Sequence, residues 1–107
     1  MAAQALSVAW LGTMPAASLA AGVTHDVVIE NYRYVPSEIT IKAGDTVRWT
    51  NREKRTSHSI LFKGPQGFES ERLFPDESWS RTFDQPGSYP YGCGPHPDMA
   101  GHVEVVP

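Results

Sequence analysis

From residue 24 onward, hydrophobic and polar positions alternate along the chain with a period of two. Successive side chains of a β-strand point to opposite faces of a sheet, so this period predicts half-buried strands. No stretch carries a convincing helical stripe, which would repeat about every 3.6 residues. The hydrophobic members of the alternating runs are Val27, Ile29, Ile39, Ile41, Val47, Trp49, Ile60, Phe62, Trp79, Phe83, Tyr89, Tyr91, Val103 and Val105.

Turn-forming residues separate these runs. Ala43-Gly44-Asp45 and Pro86-Gly87 fall between them, and nine Pro and nine Gly are spread along the chain. About seven to eight short strands divided by regular turns predict an all-β Greek-key β-sandwich. Residues 63–76 do not alternate, and we predict a loop there that is pinned to the core by Phe68, Leu73 and Phe74.

One position conflicts with this pattern. Arg81 falls on the face that Trp79 and Phe83 direct into the core. Either its aliphatic stem lies along the apolar surface while the guanidinium reaches water at a sheet edge, or a β-bulge resets the register. The sequence leaves both readings open.

The N-terminal segment has a different character. Residues 1–20 carry no charge and are rich in Ala, and Ser18-Leu19-Ala20 places small residues at the −3 and −1 positions of a signal-peptidase site. We predict a signal peptide over residues 1–20, cleaved on export to the periplasm, and a single domain over residues 21–107. A retained membrane anchor is the less favoured alternative, because a spanning helix needs about 20 apolar residues and Gly12 and Pro15 interrupt this stretch.

Composition narrows the function classes. Twelve acidic against nine basic residues give a net charge of −3, and 107 residues allow one domain. A mildly acidic domain without a basic stripe is a poor nucleic-acid binder, and its size excludes a large multi-site enzyme. The single Cys93 cannot form a disulfide within its own chain.

The residues that carry chemistry lie near the C-terminus. Cys93, His96 and Met99 follow one another at intervals of three residues, in a Pro- and Gly-rich loop between two predicted strands. A thiolate, an imidazole and a thioether from one short loop suit copper. His58, on an inward face, is the expected fourth ligand, because a Greek-key sandwich can place its strand beside the strand that ends at Cys93. Zinc is the competing metal, and a Met in the set argues against it.

Over residues 24–107 the chain resembles the cupredoxins, the small type 1 blue-copper proteins, in the amicyanin/plastocyanin-like branch; the short spacing of the last motif is closest to amicyanin. The resemblance implies that His58, Cys93 and His96 form the trigonal plane of one copper site per chain, with Met99 as the weak axial ligand. The segments that carry it are Val35–Ile41, Ala43–Asn51, His58–Phe62, Thr82-Phe83, Pro86-Gly87 and Cys93–Met99.

Three features depart from the family pattern. Ser59 stands where cupredoxins commonly carry Asn after the upstream ligand, which bears on the rigidity and reduction potential of the site. Pro90 removes a ladder donor from the strand that leads to Cys93. The charged run Asn51–Arg55 is either a solvated hairpin tip, which we favour, or a docking patch for an acidic partner.

These features lead to one main functional expectation and one alternative. We expect a periplasmic, monomeric one-electron carrier rather than an enzyme, with no membrane span in its mature form. Its partners would be redox proteins such as a c-type cytochrome or a periplasmic dehydrogenase or reductase. The electron is expected to pass through the exposed edge of His96, and small residues around it form the expected docking surface: Gly94, Pro95, Pro97 and Ala100.

The alternative is a periplasmic copper carrier or chaperone. That role favours exposed, exchangeable ligands, which are often rich in Met. Of the three Met residues, only Met99 lies outside the predicted signal peptide, so the sequence favours the electron carrier.

Overall fold

The computed structural model describes residues 22–65 and 67–107, so the predicted signal peptide over residues 1–20 lies outside the described residues. In the described part of the chain, no helix is long and apolar enough to cross a membrane. The strands are β1 (Thr24–Glu30), β2 (Arg33–Val35), β3 (Glu38–Lys42), β4 (Asp45–Asn51), β5 (Leu61–Phe62), β6 (Ser78–Phe83), β7 (Gly87–Gly92) and β8 (Ala100–Val106).

The eight strands form two four-stranded sheets. One sheet has the order β2-β1-β4-β6, and the other has the order β3-β8-β7-β5. The pairs β1–β4 and β3–β8 are parallel, and the remaining pairs are antiparallel. This architecture confirms the predicted all-β sandwich.

The hydrophobic members of the alternating runs meet between the two sheets. Trp49 of β4 lies at the centre and is fully buried. Its indole N–H donates to the Tyr91 hydroxyl of the opposite sheet at 3.1 Å, and its ring packs edge-on against the rings of Tyr91 and Phe62. The period-two pattern is therefore explained by the burial of one face of each sheet.

The strand order of the second sheet brings distant chain segments to one end of the sandwich. β5 pairs with β7 so that Leu61 lies opposite Gly92. β7 ends at Gly92 and β8 begins at Ala100, so residues 93–99 form the loop between these two neighbours. His58 lies shortly before β5, in an isolated bridge to Leu73. The upstream His and the 93–99 loop consequently share this end.

The irregular segment after β5 contains one wrong prediction. Leu73 is buried as expected, but Phe74 is 55% exposed and does not pin the loop. The chain turns at this point, with Glu77 N–H donating to the Phe74 carbonyl, and the turn directs the ring outward. Phe68 is also largely exposed, yet its ring lies 5.3 Å from that of Phe62 and covers the core edge.

Arg81 keeps the regular register of β6, so the bulge reading is wrong. It lies opposite Val47, and Trp79 lies opposite Trp49 two positions earlier. The guanidinium carbon of Arg81 is 4.4 Å from the ring centre of Phe62 and 4.5 Å from that of Phe83. The aromatic faces attract the positive charge of Arg81, and its aliphatic stem can lie against the apolar edge of the core.

Pro90 lies where β7 has a free edge. Only Tyr91 and Gly92 of β7 pair with the two-residue β5. Pro90 is beyond that pairing and faces His102 of β8 on its other side. A Pro at an edge position interrupts the sheet little.

Candidate metal centre

Three donor atoms from two chain segments meet at one end of the sandwich. Cys93 Sγ lies 3.7 Å from Nδ1 of His58 and 3.6 Å from Nδ1 of His96. With one donor atom taken from each residue, all three lie within 4.8 Å of one another. The structure thus brings together three residues that the sequence singles out.

These separations fit a bound metal ion. Bonds to a metal are about 2.0 Å long for imidazole nitrogen and about 2.3 Å for thiolate sulfur. Two such bonds place nitrogen and sulfur about 3.7 Å apart at an angle of about 120°, and about 3.5 Å apart at the tetrahedral angle. The observed distances of 3.7 and 3.6 Å lie in this interval.

Met99 is the fourth donor residue that the sequence proposes, and it lies at the end of the same loop. It is 4% exposed, and its N–H donates to the His96 carbonyl at 3.0 Å, which closes a tight turn between the two residues. The set therefore contains one thiolate, two imidazoles and one thioether. Soft thioether and thiolate donors together select copper over zinc, which prefers closed Cys and His sets in structural sites.

Burial prepares His58 to bind a metal. Removal from water lowers the pKa of His58, the neighbouring His96 lowers it further, and the Glu53 carboxylate opposes both effects. A neutral imidazole offers a lone pair, whereas the imidazolium ion has none. The other ring nitrogen, Nε2, is buried without a hydrogen-bond partner, 3.5 Å from Glu53 Oε1. A metal ion on Nδ1 would leave the ring proton on Nε2, directed towards that carboxylate.

Two polar side chains connect the segments that carry the donors. The Tyr34 hydroxyl oxygen lies 2.6 Å from the Ser59 carbonyl oxygen and 3.0 Å from that of Gly92. Burial, and next the nearby Cys93, raise the pKa of Tyr34 well above its ordinary value, so the hydroxyl stays a donor. It therefore ties the His58 segment to the end of β7.

Asn51 holds the other side of the His58 segment. It is fully buried at the end of β4. Its Nδ2 donates to the carbonyl oxygens of Thr56 at 2.9 Å and Leu73 at 2.8 Å, while its Oδ1 accepts from the Glu53 N–H at 2.8 Å. One amide thus fixes the two loops that flank His58.

His96 is the donor residue closest to solvent. It is half-buried, whereas His58 and Cys93 are buried. Its ring meets that of Tyr32 edge-on at 4.9 Å, and Tyr32 is 51% exposed. Both rings border an open hollow of about 300 Å³, whose walls are Tyr32, Pro95, His96, Pro97, Asp98 and Met99.

The predicted docking residues are placed unevenly around this hollow. Pro95 and Pro97 line it beside His96, while Gly94 and Ala100 are exposed but do not line it. In the charged run, Arg52 pairs with Asp76 at 3.1 Å. A charged run that pairs with a neighbouring exposed loop of the same chain agrees with the solvated hairpin tip that we favour for residues 51–55.

Sequence reasoning missed Tyr32 and Asn51. Tyr32 carried one signal, because it is a large aromatic residue that belongs to none of the alternating runs. Asn51 carried none, because the groups that it binds lie in irregular loops.

Known proteins share this sequence pattern and fold. Residues 21–106 match the family of copper binding proteins described as the plastocyanin/azurin family. Amicyanin of Paracoccus versutus is 43% identical over 93 residues, which cover 80% of this chain and 70% of that protein. Plastocyanin of Scenedesmus fuscus is 41% identical over 84 residues, covering 67% and 85%. The crystal structure of the Paracoccus versutus amicyanin matches with a TM-score of 0.74 and 40% identity, covering 78% of this chain and 81% of that one.

Proposed function

The chain belongs to the plastocyanin/azurin family of copper-binding proteins, and from this premise we propose that His58, Cys93, His96 and Met99 hold the copper of a periplasmic electron carrier. The protein transfers electrons and is not an enzyme. Copper bound at this site supplies a Cu(II)/Cu(I) couple that accepts one electron from a donor protein and passes it to an acceptor.

One observation carries the ligand proposal. Two imidazole Nδ1 atoms converge on a single buried sulfur, at 3.7 and 3.6 Å. As a thiolate, Cys93 supplies the negative charge of the site. The buried surroundings of His58 hold its ring in place, and Met99 is buried at the end of the loop that begins at Cys93. Side chains held in this way move little when the charge of the site changes by one, which keeps electron transfer fast.

His96 is the proposed electron outlet. It joins the buried donors to the hollow lined by Tyr32, Pro95 and Pro97. A small, mostly apolar surface suits brief docking, because transient redox complexes bury little area. Asp98 adds a negative charge to the wall of this hollow, and Lys54 lines a second hollow on the other side of Tyr32. We therefore place the docking surface on Tyr32, Pro95, His96 and Pro97, and keep Gly94 and Ala100 as its periphery.

The proposed partners are a c-type cytochrome and a periplasmic dehydrogenase or reductase. The predicted signal peptide over residues 1–20 supports the periplasmic location.

Spectroscopy of the copper-loaded protein tests the ligand set. We expect an intense visible thiolate-to-copper band and the narrow copper hyperfine splitting of a type 1 site in the electron-spin spectrum. A protein that retains zinc in preference to copper, or a Cu(II) form without the visible band, would contradict the ligand set.

A redox titration separates the electron carrier from a copper chaperone. An electron carrier cycles reversibly without loss of metal. A chaperone instead gives up Cu(I) readily to a metal-free acceptor protein. Because three of the four proposed ligands are buried, we expect reversible cycling and slow release.

A further inference from the structure

Three side-chain and backbone groups form a bridge beside the proposed ligands. Ser59 Oγ donates to Glu69 Oε2 at 2.6 Å, and Gly94 N–H donates to Ser59 Oγ at 2.9 Å. The N–H of Ser59 itself is directed at Cys93 Sγ, 3.4 Å away. We name Ser59, Glu69 and Gly94 the Ser59 bridge; it joins three separate segments around the sulfur.

The bridge depends on glycine at position 94. A Cβ atom added there would overlap Glu69 Oε2 and would lie 3.2 Å from Ser59 Oγ. The Glu69 carboxylate therefore occupies the space that a side chain at this position would need. Because the carboxylate is the end of a flexible side chain, a residue with a Cβ would displace it without unfolding the loop.

Glu69 reaches the site from a well-fixed backbone. Its own residue forms an isolated bridge with Leu61. The next residue, Ser70, donates its N–H to the Ile60 carbonyl, and its hydroxyl accepts the Ile60 N–H. Ser59 is fully buried, whereas Glu69 is exposed apart from this contact. The Glu69 side chain therefore reaches the edge of the site from the solvent side.

We propose that Glu69 is a positioning residue for electron transfer: through Ser59 it holds the Ser59 N–H on the Cys93 sulfur and so raises the reduction potential. This inference rests on the proposed copper ligands. An N–H donated to sulfur withdraws electron density from the thiolate. Weaker donation from the thiolate destabilises Cu(II) more than it destabilises Cu(I), and the reduction potential rises. Hydrogen bonds around a ligating Cys tune blue-copper potentials in this way. The electron comes from the donor protein, and no covalent bond changes at Glu69.

Two substitutions at Glu69 separate its geometry from its charge. Glu69→Gln and Glu69→Ala both remove the negative charge, but only Gln keeps an oxygen that can accept from Ser59 Oγ. The difference in reduction potential between the two variants therefore reports the hydrogen bond to Ser59 and not the charge. At a fixed applied potential, we expect a Cu(I)/Cu(II) ratio at least threefold lower in Glu69→Ala than in Glu69→Gln, which corresponds to about 28 mV at about 59 mV per tenfold change.

Two further variants approach the bridge from its other members. Ser59→Ala keeps the charge of Glu69 but removes the hydroxyl. Gly94→Ala keeps both side chains but displaces the carboxylate. Each is expected to lower the potential relative to the wild-type protein and to shift the thiolate-to-copper band. Glu71→Ala, at an exposed position two residues further along, is the matched control and should change neither quantity.

A measurement on the metal-free protein tests the bridge independently of copper. Gly94 N–H loses its ordered acceptor when Ser59 Oγ is no longer held. Amide hydrogen exchange at this group should be several-fold faster in Glu69→Ala than in the wild-type protein, and close to wild type in Glu69→Gln.

Equal potentials in Glu69→Ala and Glu69→Gln would overturn the proposal, as would wild-type potentials in both Ser59→Ala and Gly94→Ala. A role in folding alone would lower the unfolding temperature of Glu69→Ala without separating its potential from that of Glu69→Gln, and would also overturn it. If the wild-type protein lacks the thiolate-to-copper band, the copper ligand proposal fails instead, while hydrogen exchange still tests the bridge.

Discussion

The two ends of β4 are closed by chemically different side chains. At its start, the Asp45 carboxylate accepts hydrogen bonds from Val23 N at 2.9 Å, His25 Nε2 at 3.0 Å and Lys42 N at 3.1 Å. At its end, the neutral amide of Asn51 donates to two loop carbonyls. The Asp45 end joins the segment before β1 to the turn between β3 and β4, whereas the Asn51 end holds the loops around the donor atoms.

This difference shows how the sandwich separates stability from chemistry. A carboxylate suits N–H donors far from the proposed copper. An amide suits the donor end, because it satisfies carbonyl oxygens without adding a second buried anion near the thiolate. Function is therefore built on irregular loops above a frame of regular strands, and the hydrogen bonds that Asn51 makes to these loops are neutral.

The strongest test of this separation removes the sulfur. Cys93→Ser should abolish the intense visible band completely, since the chain contains no other thiol. The sheets should persist, because Cys93 lies just after β7. Visible absorption and far-ultraviolet circular dichroism measure the two outcomes. An intense blue colour in this variant would refute the ligand role of Cys93.

The second test loosens the loops at the Asn51 end. Asn51→Ala removes the side-chain partner of the Thr56 and Leu73 carbonyls and of the Glu53 N–H, and only the Leu73 carbonyl keeps another, the His58 N–H. We expect a loss of about 2–4 kcal/mol in the free energy of unfolding. Thr50→Ala, the neighbour with an exposed hydroxyl pair, should cost about 0.5 kcal/mol. Chemical denaturation measures both. The separation would be wrong if both variants lost equal stability, or if the copper spectrum of Asn51→Ala stayed unchanged.

The third test addresses the Asp45 end through pH. Hydrogen bonds from Val23 N, then His25 and Lys42 N, hold the pKa of Asp45 at about 2, below its ordinary 3.8. The stabilisation is therefore present above about pH 4 and is lost as the pH falls through about 2. Metal-free Asp45→Asn should be less stable than the wild-type protein at pH 7, and urea denaturation should show the gap closing between pH 4 and pH 2. A gap that does not change with pH would contradict the assignment.

The smallest expected effect concerns the outer surface. Tyr32→Ser should slow electron transfer to a redox partner several-fold and leave the stability within about 0.5 kcal/mol, because the ring is half exposed. Stopped-flow kinetics with a c-type cytochrome measure the rate. Val23→Ser, an exposed apolar residue near Asp45, is the control and should have no effect. Equal rates in both variants would remove Tyr32 from the docking surface.

The strands and the candidate donor residues could be recognised in the sequence because both are local signals. Alternation at Val27, Ile29, Val47 and Trp49 reports burial of one sheet face, and these side chains are fully buried. The spacing of the Cys93–Met99 segment follows from one loop that must direct several donors to one point. The predicted ligand roles and the signal peptide over residues 1–20 stay predictions.

Tertiary structure alone decided how that loop is held. Ser59 lies between the inward-facing His58 and Ile60, so alternation would put it on the outer face. It is nevertheless fully buried, because the segment around His58 is irregular rather than a strand. The acceptors of Asn51, the hydroxyl contacts of Tyr34 and the reach of Glu69 to Ser59 each join segments that are separated along the chain. Such contacts leave no periodic trace, because they depend on which strands become neighbours. The sequence by itself therefore determined the frame and the donor chemistry, and the folded structure determined the hydrogen bonds that support them.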